Sequence, residues 1–458
     1  MPTSEERPVS QPRAGEASEQ VQPPARERSY VGDIGAPIQG AGDKAAVSFS
    51  MVLLAVVIGF VVGIAVWAAL LLSTFLTNLV WDPVRAGGLP WFMPVIICTV
   101  GGLIVGAWGM LPHGEPIELE EVMEEGKRTG TYEMKGLGQS VVGFLLPLAF
   151  GGAVGPEAGL TGIVAGACYW IGDTLKAAGL RVKGLSEISM AATMSAVFRT
   201  PLLGLAVAED GLPGDTPRPV EVTFRRKAKF VLYTASAFGA VAGVMALSAL
   251  VGSEAGMPRF ETVTVGAREV AWALPCMLVG FAFALVYHAA NYAFSRLGKL
   301  LEPYRPLRGA LCGLVLGLVG VVLPLVLFSG EEQAFEVMEE WQGLGATLLL
   351  VTAVVKLAAN PLCMNLGWKG GNGFPTIFSG ICCGYGLALL TGADPVFCVT
   401  VTTAAVVGGV MRNVGLVLGF LLLCFPLRSI VWLGLSAVIC CYLPLPAPFA
   451  APKAPAEE

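Results

Sequence analysis

The sequence has little charge and almost no histidine. Only 14% of its 458 residues are Asp, Glu, Lys or Arg, and its two histidines are His113 and His288. A histidine-rich metal site is therefore not expected. The sequence also has no basic stripe carrying aromatic residues, so a nucleic-acid partner is not expected. No C-x-x-C, G-x-S-x-G or H-E-x-x-H motif occurs, so the sequence predicts neither catalytic residues nor a cofactor.

Apolar residues are abundant, and their arrangement is typical of a membrane protein. Hydrophobic residues make up 55% of the chain, more than a soluble core of this size could bury. Long apolar stretches such as 47–80 and 268–297 reach the roughly 20 residues that a spanning helix needs. The sequence therefore predicts a multi-pass, all-α protein of the cell membrane.

Several apolar stretches, such as 136–150 and 396–410, are shorter than a full crossing and lie beside Gly or Pro. Such segments are typical of broken or re-entrant helices, which survive at membrane depth only when protein or a polar cavity surrounds them. This pattern favours a transporter or channel over a receptor.

The chain divides into two polar tails and a membrane domain. Residues 1–44 are poor in large apolar side chains and are expected to be disordered, and 443–458 form a short Pro/Ala tail. The membrane domain, 45–442, has halves of about 45–252 and 266–442. The strings 195–204 and 408–419 both place an Arg between apolar runs. An internal repeat and a chance recurrence explain this similarity equally well.

Three Gly/Pro strings precede apolar stretches and are the strongest functional signal. Pro near the first helical position, with Gly just outside, is typical of a helix start. A helix that starts inside the membrane directs free N–H groups and its positive dipole end at a cavity, which suits an anion. The strings are Pro112–Pro116, Gly151–Gly159 and Gly370–Pro375.

The order and spacing of these strings resemble the signature motifs of the CLC family of chloride channels and transporters. In that family G-S-G-I-P, G-R-E-G-P and G-x-F-x-P open three helices around the anion. Pro112–Pro116, Gly152–Pro156 and Gly371–Pro375 would correspond to them. The resemblance implies a CLC-like, inverted-repeat bundle of broken and re-entrant helices that conducts chloride or similar anions, and a homodimer in the lipid bilayer.

The resemblance also implies where the anion binds. Backbone N–H groups at the helix starts would hold it, His113 would replace the family serine of the inner site, and Tyr442 is the nearest counterpart of the family tyrosine. A satisfied histidine at the membrane boundary explains His113 equally well. The expected anion-binding residues are His113, Gly114, Ala153, Val154, Gly155, Asn372, Gly373, Phe374 and Tyr442.

One departure from the family bears directly on mechanism. The glutamate of G-R-E-G-P, which gates and carries protons in relatives, is replaced by Val154, which can do neither. We therefore expect passive, channel-like conduction. The alternative is a proton-coupled antiporter in which Glu157, one helical turn on, replaces that glutamate.

Competing interpretations remain for the acidic residues. Glu157 is either a displaced gate or a first-turn glutamate held by backbone donors, with equal weight. Glu209 and Asp210 fall near the internal proton-transfer position of antiporters, but a solvated helix end is favoured about two to one. A membrane enzyme that uses His113 with Glu115 or Glu157 is the alternative from another class.

Overall fold

The computed structural model describes residues 49–116, 136–164, 185–197, 226–251, 257–422, 424–446 and 448–449. Contacts divide the chain into Met1–Gly32 and Asp33–Glu458, and every described residue belongs to the second unit. The tail predicted over 1–44, Glu209, Asp210 and the string 198–204 lie outside the described residues.

The described part of the chain is helical, which confirms the predicted all-α fold, and its one β-bridge is isolated. The helices of the amino-terminal half are α1 (Phe49–Arg85), α2 (Met93–Trp108), α3 (Leu137–Ala149), α4 (Leu185–Val197) and α5 (Arg226–Val251). Those of the other half are α6 (Ala267–Leu300), α7 (Arg305–Val322), α8 (Glu331–Leu344), α9 (Ala346–Asn365), α10 (Gly373–Thr391), α11 (Pro395–Met411), α12 (Val414–Leu421) and α13 (Ile430–Tyr442).

Six helices among the described residues are long and apolar enough to cross a membrane. Other apolar helices are shorter, among them α2, α3 and α11, so the predicted mixture of full and partial crossings is confirmed. The apolar stretch 414–443 is broken: α12 ends at Leu421, and α13 begins only at Ile430. The six candidate spans are Met51–Arg85, Phe230–Val251, Ala267–Leu300, Glu302–Val322, Ala346–Asn365 and Gly373–Thr391.

Glycines allow neighbouring helices to touch backbone to backbone. A Cβ added to Gly102 of α2 would lie 2.1 Å from the carbonyl oxygen of Gly309 in α7, and one on Gly313 would lie 1.9 Å from that of Cys98. Gly102 and Gly106 on one helix, and Gly309 and Gly313 on the other, are each spaced by four residues. This small-residue spacing lets membrane helices gain close van der Waals packing without a hydrophobic driving force between them.

Burial separates a central layer from the lipid-facing helices. Helix α10 is buried over nearly its whole length, and α11 is buried from Phe397 to Met411. By contrast, α1 exposes large apolar side chains such as Phe75 and Leu79. Exposed apolar residues on a long helix fit contact with lipid, and the buried layer brings α10 to the centre of the protein.

Candidate anion site

The second and third Gly/Pro strings meet at the start of α10. The Gly155 N–H donates to the Gly371 carbonyl at 2.9 Å, and the Gly371 N–H donates to the Gly155 carbonyl at 2.7 Å. This two-way pairing forms the isolated antiparallel bridge between the strings. Two helix starts that lie far apart in the sequence are therefore fixed to each other.

Glu157 reaches across this junction. It is the first residue of a helical stretch over 157–164, and its side chain is only 6% exposed. Its Oε1 accepts a hydrogen bond of 2.6 Å from the backbone N–H of Gly373, the first residue of α10. A carboxylate oxygen therefore lies at the positive end of α10, and helix amino termini are general binding places for negative groups.

The other carboxylate oxygen, Oε2, is buried and has no hydrogen-bond partner in the part of the chain that the structure describes. The carboxylate fits only because residues 155 and 371 are glycines. A Cβ on Gly155 would lie 1.9 Å from Oε2, and one on Gly371 would lie 2.0 Å from Oε1. The glycines thus leave room for a negatively charged group between the two strings.

A tyrosine that sequence reasoning missed lies beside this site. Tyr287 of α6 is 8% exposed, and its hydroxyl oxygen accepts a hydrogen bond of 3.3 Å from Nδ2 of Asn372. Asn372 immediately precedes α10. Because the tyrosine oxygen accepts here, the hydroxyl hydrogen stays available to donate to an anion. No motif pointed to Tyr287, which lies in an apolar stretch.

Helix α9 holds both strings in place. Nδ2 of Asn360 donates to the carbonyl of Ala153 at 2.8 Å and to that of Gly371 at 3.1 Å. One buried amide therefore links the two sides of the junction. Sequence reasoning passed over Asn360, although a polar residue inside an apolar helix is itself a signal of a buried contact.

Lys356 lies one turn before Asn360 on the same helix and is fully buried. Its ammonium group donates to the carbonyls of Val326, Leu327 and Phe328 at 2.8, 2.8 and 2.6 Å. These three carbonyls are the hydrogen-bond partners of the lysine in the described residues. The N–H of Phe328 in turn donates to the Gly151 carbonyl at 3.1 Å, so Lys356 supports the second string from behind.

Three residues predicted to bind the anion are buried around the junction. Ala153, Val154 and Phe374 are at most 1% exposed. Val154 packs against Gly370, where an added Cβ would lie 2.6 Å from the valine Cβ. The valine is therefore part of the packed wall, and the only carboxylate that the described residues bring to the α10 start is that of Glu157.

The remaining residues predicted to bind the anion belong to the first string and to the end of α13. His113 is solvent-exposed with φ 58°, and its carbonyl accepts a hydrogen bond of 3.3 Å from the Ser140 hydroxyl. Gly114 is buried, and a Cβ there would lie 2.1 Å from the Trp108 carbonyl oxygen. Tyr442 is 78% exposed at the end of α13. No hydrogen bond described here joins any of the three to Glu157 or Gly373.

Similar proteins agree with this architecture. A sequence model of the voltage-gated chloride channel family matches residues 114–444. The protein named "Putative ion-transport protein YfeO" of Salmonella paratyphi A is 25% identical over 374 residues, which cover 78% of this chain and 84% of the relative. Its namesake in Salmonella newport is 26% identical over 227 residues, a region that spans 49% of this chain and 52% of the relative.

Solved structures share the fold at low sequence identity. A CLC-type fluoride/proton antiporter superimposes with a TM-score of 0.65 and 18% identity, over 86% of this chain and 95% of that one. A slow cyanobacterial Cl⁻/H⁺ antiporter gives a TM-score of 0.67 and 15% identity, over 85% and 93% of the two chains. The chain is a multi-pass integral membrane protein that belongs to the CLC family of anion channels and transporters.

Proposed function

We propose that the protein exchanges protons for chloride or a similar small anion, and that the Glu157 carboxylate serves both. The observation that carries this proposal is the 2.6 Å hydrogen bond from the Gly373 N–H to Oε1 of Glu157. The N–H that an anion would use at the start of α10 already binds a carboxylate. Carboxylate and anion therefore compete for one donor.

Protonation decides this competition. An ionised carboxylate accepts strongly from the N–H and is favoured by the helix dipole, whereas a neutral carboxyl group loses the charge-assisted part of that bond. A proton taken up by Glu157 would release the N–H to an incoming anion. When the anion leaves, the carboxylate returns after losing its proton, so the two occupancies exclude each other, as exchange requires.

Asn372 and Tyr287 supply further ligands in this proposal. The hydroxyl of Tyr287 has a hydrogen to donate, and its 3.3 Å hydrogen bond with Nδ2 of Asn372 keeps it beside the α10 start. Backbone N–H groups and a neutral hydroxyl bind an anion less tightly than a fixed lysine or arginine would, which permits release. The names of the two fold neighbours, a fluoride/proton and a Cl⁻/H⁺ antiporter, support the same class of transport.

Passive conduction is the second candidate, and Val154 favours it. This buried valine stands where family members carry their gating glutamate and cannot be protonated. If Glu157 only stabilises the end of its own helix, the anion pathway has no titratable gate.

The family resemblance also supports a homodimer, which cross-linking in vesicles would test.

Coupling is tested in liposomes loaded with high chloride and diluted into low chloride, with valinomycin and potassium fixing the membrane potential. Chloride efflux should drive proton uptake, seen as alkalinisation outside. Glu157→Gln should pass chloride without moving protons. Glu269→Gln is the matched control, because Glu269 also accepts backbone N–H groups at a helix start, those of Gly266 and Asp394. Chloride efflux without proton uptake in the wild type would reject exchange and favour the passive pathway.

A further inference from the structure

A cavity at the amino-terminal end of α7 gathers positive charge, and neither Glu157 nor Gly373 lines it. Its volume is about 20 Å³, and it lies between α2, the turn that ends the first Gly/Pro string, α3, α7 and the segment before α10. Three of its lining residues are cations and one is an acid. The residues that matter are Glu115, Arg305, Arg308, Gly367 and Lys369.

The rim of the cavity is electrostatically balanced. Nη1 of Arg305 donates to the Gly109 carbonyl at 2.6 Å and contacts Oε1 of Glu115 at 3.1 Å. Both side chains of this ion pair are a little over 40% exposed to solvent. This ion pair therefore accounts for the charge of Arg305.

Arg308 lines the same cavity. Its Nε is buried without a hydrogen-bond partner, and no ion pair joins the side chain to any group in the described part of the chain. The guanidinium rests against Gly367, where an added Cβ would lie 3.1 Å from Nη2. Gly367 has φ +95°, a conformation that favours glycine, so this backbone leaves space beside the guanidinium.

A buried donor of a charged group normally has a partner, because leaving it unpaired costs free energy. We propose that the cavity is an anion-binding site separate from the α10 start, that it takes one small inorganic anion, and that Arg308 is its main ligand. The cavity has room for a small inorganic anion such as a halide.

The position of the cavity gives the site a role. Lys369, which lines it, lies four residues before Gly373, so the cavity adjoins the segment that leads into α10. A site that concentrates anions beside the transport pathway raises the rate at which the pathway fills. This role, though not the binding itself, rests on the proposed transport function.

The test is isothermal titration of the purified full-length protein with sodium chloride at pH 7.5. Wild type should bind chloride. Arg308→Gln should weaken chloride binding roughly ten- to a hundredfold, the range for losing a hydrogen bond to a charged group. Arg296→Gln is the matched control, because Arg296 is an exposed arginine of α6 stacked on Tyr292, and it should bind as wild type does.

Chloride affinity unchanged by Arg308→Gln would overturn the proposal. Unchanged affinity with a lower melting temperature would show that Arg308 stabilises the fold and does not bind the anion. If Arg308→Gln does not fold, Arg308→Lys keeps the charge but not the planar donor fork, and it must also weaken binding. The titration and the liposome coupling assay can fail separately. If Arg308→Gln loses chloride binding while wild type moves no protons, only the proposed exchange is wrong. If wild type couples chloride to protons while Arg308→Gln binds chloride normally, only the Arg308 site is wrong.

Discussion

Replacing Glu157 by Gln should raise chloride flux at neutral pH and remove its dependence on pH. Glutamine keeps the length and shape of the side chain and can still accept from the Gly373 N–H, but it carries no charge. A hydrogen bond to a charged acceptor contributes about 1.5–3 kcal/mol and a neutral one about 0.5–1.5 kcal/mol. The hydrogen bond between side chain 157 and the Gly373 N–H should therefore weaken by about 1–1.5 kcal/mol. This corresponds to a roughly five- to tenfold larger fraction of molecules in which the N–H is free to bind an anion.

The assay is chloride efflux from liposomes, followed with a chloride electrode between pH 4.5 and 7.5. Acid protonates the carboxylate, so wild-type flux should rise as pH falls and approach that of Glu157→Gln at the acidic end. Glu269→Gln should behave as wild type. If Glu157→Gln kept the flux and the pH dependence of wild type, Glu157 would be a stabilising first-turn residue and not a gate.

Three further substitutions test the surroundings of the gate. Gly371→Ala should push the carboxylate off the Gly373 N–H, because the new Cβ would lie 2.0 Å from Oε1, and should flatten the pH dependence of flux; Gly343→Ala, with no atom within 4 Å of its Cβ, should leave the profile intact. Asn360→Leu removes the side-chain donor of two buried carbonyls, of which that of Gly371 keeps the Gly155 N–H, and should lower the free energy of unfolding by about 1–3 kcal/mol, measured by melting in detergent. Lys356→Met removes the donor of three buried carbonyls and should lower the free energy of unfolding by about 2–3 kcal/mol. For Asn360→Leu or Lys356→Met, a melting temperature equal to that of wild type would contradict the structural role given to that side chain.

Much of the architecture could be predicted from sequence because membrane burial leaves a strong local signal. Apolar length gave the spanning helices, and Gly and Pro marked the starts of the partial ones. The apolar stretch 414–443 shows where this signal stops, because the break between its two helices carries few polar residues. A single Pro426 in an apolar run does not distinguish a kinked helix from the two helices that the structure contains.

The site was predicted only in part, because its contacts are tertiary. Local helix geometry placed Glu157 near the dipole of its own helix, but its partner, Gly373, is 216 residues away. Which interpretation of Glu157 applies depends on that distant contact. Tyr287 and Asn360 belong to no motif, and only packing places them at the junction. His113 and Tyr442 were proposed from resemblance alone, which carries no information about exposure at these positions.

The central claim is that the Glu157 carboxylate and the transported anion compete for the Gly373 N–H. Anomalous diffraction from crystals grown in bromide at neutral pH tests it most directly. The account predicts a bromide peak within hydrogen-bond distance of the Gly373 nitrogen in Glu157→Gln, and none there in wild type, where the carboxylate occupies the donor. Bromide at that nitrogen in both proteins with the Glu157 side chain unmoved, or in neither, would contradict it.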